Sequence, residues 1–331
     1  MSQQRECCRA GLVPETPDER QAITDGITMY GQPLSQVSWL QVDNLVPIHL
    51  PDGFRGIIYP DSHSPYQDDG VLRAIWRFAE MWRPHLCFDI GDFLDFKGLS
   101  RFAPNAKEPT AGLFAELEAG KRQLRAKMRA GRPAKLIVIP GNHDDRERRQ
   151  LSDGAAMFAG AVNASNRNQL TDVATNLLGF SEADNIMFAW GVGQQGGLDG
   201  GVMAGDVRLR HGNVVNARPG YSSYATFMRQ LQNVFIGHVH RAGSWAYELP
   251  TGEVRRGGDL GNNVDARKPG FNYIGSDHDW IHAFGVMQTL NGVTHVQVVP
   301  FLLGEQDGKL VEFFTWTDKN HQILTFGAEE S

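Results

Sequence analysis

Between Arg55 and His143 the chain alternates short apolar runs with amphipathic stripes, and each apolar run ends in a polar motif. Gly56–Tyr59 leads into Asp61-Ser62-His63. Leu86–Ile90 leads into Gly91-Asp92-Phe93-Leu94-Asp95, and Lys135–Ile139 into Gly141-Asn142-His143-Asp144. Residues 69–83, between the first two, carry Val71, Leu72, Ile75, Phe78, Ala79 and Trp82 at helical spacing. A longer helix is predicted from about Thr110 to Ala130, with Leu113, Phe114, Leu117, Leu124 and Met128 on one face. Strands and helices alternating in this way imply parallel pairing through right-handed crossovers. Parallel sheets gather ligands at the carboxyl ends of their strands, so motifs far apart in sequence are predicted to meet in one crevice.

Two more motifs follow, His211-Gly212 and Gly237-His238-Val239-His240. The second half is richer in strands, predicted at Ile186–Trp190, Val207–Arg210, Val234–Ile236, Ser244–Leu249, Phe284–Thr289 and Val293–Val299, with one helix over Tyr221–Gln232. A second sheet packed on the first is the natural outcome. Gly191–Gly205 holds seven glycines in fifteen residues and reads as a loop beside the site. Near the N-terminus, Thr16-Pro17-Asp18-Glu19 reads as a capping box with proline at the first helical position, opening a helix to about Tyr30. Three regions are expected: a helical extension over 1–45, a main domain over 46–305 whose segment 146–206 walls the cleft, and a tail over 306–331.

The five motifs supply carboxylate, amide and imidazole groups, the donors of hard and borderline divalent cations. In extended backbone, residues i and i+2 point the same way, so Asp61 with His63, and His238 with His240, can each present two donors to one crevice. A two-metal site needs a bridging group between ions roughly 3.5–4 Å apart, and Asp92, central among the contributors, is the candidate. Asp95 falls on the next part of the turn, where it can orient another group. None of the three cysteines, Cys7, Cys8 and Cys87, belongs to the set, which excludes thiolate-rich zinc and iron–sulfur chemistry. A net charge of −6 argues against a protein coated in basic surface for nucleic acid. With no signal-peptide core and no run of membrane-spanning length, a soluble, cytoplasmic protein without a membrane partner is expected.

In order and composition the five blocks resemble the calcineurin-like metallophosphoesterase superfamily, with its D-x-H, G-D-x-x-D, G-N-H-D/E, lone His before Gly, and G-H-x-H. The match spans Asp61 to His240 and is complete at every ligand position. The fold this implies is an α/β (α+β) sandwich of two packed mixed β-sheets flanked by helices. Carried over, the resemblance implies that Asp61, His63 and His240 hold one divalent ion, that Asn142, His211 and His238 hold a second, and that Asp92 bridges them. It implies that His143 protonates the leaving oxygen, that Asp95 holds His143 in its working tautomer, and that a metal-activated water attacks the phosphate ester. Mn²⁺ is the expected metal, with Fe, Zn²⁺ and Mg²⁺ as alternatives.

The substrate is less sharply written. Ser/Thr phosphatases of the superfamily carry an arginine after the second motif's aspartates, and Phe96 stands there instead, with Lys97 beside it. A singly charged diester needs an arginine fork less than a monoester does, which tilts the expectation toward a phosphodiesterase and, with nucleic acid as partner, a nuclease. A phosphomonoesterase is the alternative enzyme and a non-catalytic binding scaffold the alternative outside enzymes. Arg146, Arg148 and Arg149, beyond the third motif, remain within reach of a substrate. The run Lys121, Arg122, Arg125, Lys127, Arg129, Arg132 and Lys135 reads as a solvated helix face. Arg241, Arg255, Arg256, Arg267 and Lys268, interleaved with Trp245 and Tyr273, are positioned to line the cleft but are expected mostly to pack. The i, i+4 pair His278 and His282 reads as loop or packed edge.

Overall fold

In three strands of the first half, neighbouring residues go to two different cores. Ile57 and Tyr59 of β4 (Arg55–Tyr59) join one apolar cluster and Ile58 the other; Cys87 of β5 (Leu86–Asp89) opposes Leu86 and Phe88; Leu136 and Val138 of β6 (Lys135–Val138) oppose Ile137. Strands buried on both faces read as unbroken apolar runs, which is why all three were legible. The computed structural model describes residues 15–37, 45–99, 112–146, 178–189, 201–268, 271, 278–306, 309–318 and 321–328.

These strands form the centre of a six-stranded sheet. β4, β5, β6 and β7 (Ile186–Phe188) run parallel, and β13 (Ala283–Leu290) and β14 (Val293–Pro300) add antiparallel beyond β4. The crossovers are α2 (Asp69–Trp82), capped by the Asp68 carboxylate on the Gly70 and Val71 amides, and α3 (Leu113–Arg129). An eight-stranded sheet packs on the other face. Its parallel centre is β9 (Val207–Arg210), β10 (Asn233–Ile236) and β12 (Val254–Leu260), edged by β11 (Ala242–Glu248); β8 (Val202–Ala204), β3 (Val46–His49), β1 (Thr28–Met29) and β2 (Gln32–Pro33) extend the far side. Phe88, Ile90, Ile137 and Ile139 meet Val202, Leu209, Phe235 and Leu260 between the sheets. The expected pair of mixed sheets with flanking helices is therefore present.

Several elements differ from the sequence reading. The capping box forms as expected, with Thr16 and Glu19 satisfying each other's backbone amides, but α1 (Pro17–Gly26) ends at Gly26 because Thr28–Met29 pairs with β3. Strand β8 lies inside the stretch read as a glycine-rich loop, of which 191–200 are outside the described residues. Residues 302–327 form a three-stranded antiparallel sheet, β15 (Leu302–Gln306), β16 (Lys309–Thr317) and β17 (Ile323–Gly327), that sets Phe314 and Phe326 against Phe78 of α2. Helix α3 buries Leu117 and Leu124 as expected, but Leu113 and Phe114 (83%) are exposed, and Glu116, Gln123 and Lys127 go inward with Gly120 instead. Among the described residues no helix is long and apolar enough to cross a membrane.

Candidate metal centre

The five motifs converge at the carboxyl ends of β4, β5, β6, β9 and β10. Just past those ends the backbone makes tight turns in which Asp92, His63, His238 and His240 adopt positive φ values of 49°, 47°, 71° and 58°. Left-handed backbone costs a non-glycine residue on the order of 1–3 kcal/mol where it is strained, and here it turns four candidate ligands into one crevice. Each carboxylate is then fixed by a neighbouring motif. The His238 amide donates to both oxygens of Asp61 (3.0 and 2.9 Å), and the His143 amide to Asp92 Oδ1 (2.7 Å). Backbone comes this close only because glycine precedes each motif. A Cβ on Gly141 would stand 2.1 Å from Asp92 Oδ1, and one on Gly237 2.3 Å from Asp61 Oδ2.

The second oxygen of Asp92 is the hub. Its Oδ2 lies 3.3 Å from His211 Nε2, 3.6 Å from His63 Nε2 and 3.9 Å from His143 Nε2. Donor atoms of Asp61, His63 and His240 lie within 4.8 Å of one another, as do those of Asp92, His211 and His238, and those of His63, Asp92 and His143. Asn142 Oδ1 is 3.0 Å from His211 Nε2, which brings the seventh candidate ligand into the same pocket. Two features fit cations here. His63 Nε2 and His240 Nε2 face each other at 3.2 Å, and His240 Nδ1 is buried with no hydrogen-bond partner among the described residues. His/Asp/Asn donors of this kind suit a divalent ion.

The electrostatics follow from burial and crowding. Burial lowers His238 to about 4 and His240 to about 3, leaving neutral imidazoles with lone pairs for a metal. Burial also opposes charge on His211, yet Asp92 and Asp61 push it up to about 9. His143 is raised, burial being outweighed by Asp92 and Asp95. Asp95 is held well below the usual carboxylate range; burial works against this, but hydrogen bonds from His143 and His63 prevail. Its Oδ1 is 2.9 Å from the Nδ1 of each of those histidines.

Asp144 closes the third motif without facing the pocket. Its oxygens accept from the Leu94 and Gly141 amides (3.0 and 2.7 Å), pinning the second motif's loop to the third's. Behind the loops runs the polar stripe of α3, which apolar periodicity does not reveal. Gln123 Oε1 accepts from Ser64 Oγ (2.9 Å), Lys127 Nζ reaches Ser62 Oγ (3.2 Å) and Asp89 Oδ2 (2.6 Å), and Glu116 accepts from the Phe96 amide. Lys127 is thus withdrawn from the solvated basic face to which the sequence assigned it. Residues 116, 120, 123 and 127 share one helical stripe, so the signal was spacing rather than hydropathy.

The outlying candidates are accounted for locally. His282 binds Glu312 (2.5 Å) and the Val264 carbonyl (2.7 Å) in non-helical backbone, away from any shared site with His278. Arg241 pairs with Asp279, Arg255 with Glu253 and Arg267 with Asp265, while Trp245 packs on Phe227 and donates to Ser223. Tyr273, Arg148 and Arg149 lie outside the described residues.

Two mixed sheets with all five motifs at their strand ends, and one aspartate shared between the donor sets, decide the architecture. It is the two-sheet architecture that the resemblance to the calcineurin-like metallophosphoesterases implies. No family model matches the sequence. Two curated relatives of this chain are the gene 54 proteins of Mycobacterium phages D29 and L5. The first is 24% identical over 258 residues, covering 76% of this chain and 94% of the phage protein. The second is 25% identical over 269 residues, covering 78% and 98%. Similar solved structures include a dimetal phosphatase from Danio rerio (12% identity, 84% of this chain and 100% of that one, TM-score 0.38). Vps29 from Chaetomium thermophilum (9%, 83% and 96%, 0.34) and the nuclease MPE from Pseudomonas putida (13%, 78% and 94%, 0.28) are two others.

Proposed function

We propose that the protein is a two-metal phosphoesterase that hydrolyses phosphate esters, with phosphodiesters, nucleic acid among them, as the favoured class. The observation that carries this reading is the meeting, at Asp92, of the metal-donor sets with a proton-donating dyad. His143 Nε2 is 3.9 Å from Asp92 Oδ2, and its Nδ1 is 2.9 Å from Asp95 Oδ1.

Asp61, His63 and His240 would hold one divalent ion and Asn142, His211 and His238 the other, with Asp92 between. When bound, such ions supply positive charge to the phosphoryl oxygens and lower the pKa of water. The chain's own groups do the rest. Asp95 takes the Nδ1–H of His143 and leaves Nε2 facing the crevice, so that the imidazolium form, with a second proton on Nε2, delivers that proton to the leaving ester oxygen. The same carboxylate takes Nδ1–H of His63, which keeps the His63 Nε2 lone pair turned inward. The backbone amides on Asp61 and Asp92 hold the carboxylates rigid, so little reorganisation is needed as charge develops.

The preference for diesters draws on Phe96, which occupies the arginine position of the second motif and is fully buried. Among the described residues of that loop, none offers a guanidinium to the two charges of a monoester. The test is hydrolysis of bis-p-nitrophenyl phosphate beside p-nitrophenyl phosphate during Mn²⁺ titration of metal-free protein, with Asp92→Asn as control. Faster diester cleavage that vanishes in the control is expected. Faster monoester cleavage would favour a phosphomonoesterase, and two bound ions without turnover of either ester would favour a binding scaffold.

A further inference from the structure

Arg146, the last described residue of the third motif's turn, sets its guanidinium beside His143 and Asp95. Its NH1 donates to the Asp95 carbonyl at 2.7 Å, and its NH2 lies 3.0 Å from His143 Nε2. A guanidinium only donates, so Nε2 accepts in this arrangement, in keeping with Nδ1–H given to Asp95. Neither contact supplies a negative charge. The Asp95 carboxylate is engaged by His63 and His143. Burial pushes Glu116, the other nearby carboxyl, up to about 8, so it is largely neutral at pH 7. Among the described residues no carboxylate pairs with Arg146. The Arg146 guanidinium, with no ion-pair partner among the described residues, thus stands 3.0 Å from the atom assigned to protonate the leaving group.

We infer that Arg146 is the anion clamp of this site: with NH1 kept on the Asp95 carbonyl, NH2 turns from His143 Nε2 onto one non-bridging oxygen of a phosphodiester. The inference rests on the phosphoesterase reading and extends it to a named substrate contact. The anchored half fixes the plane of the guanidinium, so the free half offers a directed donor at small entropic cost. The same turn uncovers the Nε2 lone pair, which is then free to take up the proton that it delivers to the leaving oxygen. A single free donor edge matches the single charge of a diester, and it does so from a turn that belongs to the third motif, while Phe96 of the second is turned into the core.

The test compares the full-length, Mn²⁺-loaded wild type with Arg146→Ala and Arg146→Lys. It measures bis-p-nitrophenyl phosphate turnover, inorganic phosphate affinity by calorimetry, and metal content. Arg146→Ala is expected to lose about 10²–10³-fold in kcat/KM and at least about tenfold in phosphate affinity, with both ions retained. Added guanidinium should restore part of the rate in Arg146→Ala and none in wild type, and Arg146→Lys should fall between. Arg146→Ala with rate and phosphate affinity within about twofold of wild type overturns the clamp and leaves the phosphoesterase reading standing. Loss of metal or folding in Arg146→Ala, with no guanidinium rescue and a fully active Arg146→Lys, also overturns it. A wild type that turns over neither ester yet binds phosphate through Arg146 supports the clamp and refutes the enzyme.

Discussion

Lys127 Nζ and Asp89 Oδ2 lie 2.6 Å apart beneath the crevice, both side chains cut off from solvent. Asp89 ends β5 two residues before Gly91, and Lys127 also reaches Ser62, between Asp61 and His63. Removing one partner of a buried ion pair strands the other charge and costs about 3–5 kcal/mol. Lys127→Met should therefore lower the urea midpoint by that equivalent, and adding Asp89→Asn should recover part of the loss. A single variant within about 1 kcal/mol of wild type would show that the pair behaves as if exposed.

His143 and Asp95 are expected to separate in their effects. His143→Ala removes the proton donor alone and should lose roughly 10²–10⁴-fold in rate with metal content unchanged. Asp95→Asn also releases His63, a candidate ligand, so it should lose activity and metal together. Metal analysis beside steady-state kinetics distinguishes the two. A fall in metal content in His143→Ala would make it a ligand and end its assignment as general acid.

Gly141 tests whether close backbone approach builds the site. A methyl group there would meet Asp92 Oδ1 at 2.1 Å, whereas at Gly98 it meets nothing within 4 Å. Gly141→Ala should displace Asp92 and abolish metal binding by calorimetry, with Gly98→Ala matching wild type. Normal binding in Gly141→Ala would mean that Asp92 is not needed where it stands.

Glu116 should make stability fall as pH rises. Burial lifts its pKa to about 8 in the folded chain, against 4.5 for a free carboxyl. Between those values the folded state holds a proton that the unfolded state has released, so rising pH favours unfolding across that window. Glu116→Gln should raise Tm by about 2–5 °C at pH 8 and by nothing at pH 4. An equal shift at both values would exclude titration of Glu116 as the cause.

How much was legible can be judged residue by residue. Ile57, Ile58, Phe88 and Ile137 announced strands because burial on both faces leaves continuous apolar runs. The capping box at Thr16 and Glu19 is local chemistry and formed as written. On α3, Leu117 and Leu124 are core as their spacing indicates, but Leu113 and Phe114 are exposed, while Glu116, Gln123 and Lys127 go inward. Their partners, Phe96, Ser64, Ser62 and Asp89, are 20 to 65 residues away, beyond any window of periodicity. Strand β16 was hidden for a related reason. Phe313 and Phe314 are adjacent, and only Phe314 finds a deep partner on α2.

By itself the sequence determined which donors are available and that they end strands, because both are properties of short segments: residue type, and the apolar run before it. Tertiary structure alone decided which atoms meet. It made Asp92 Oδ2 the hub, gave one Asp95 oxygen to two histidines, buried Lys127 under the crevice and turned Arg146 onto His143. The physical reason is that a polar group's cost of burial is cancelled only by its partner. That partner comes from whichever loop the packing of the two sheets brings within about 3 Å.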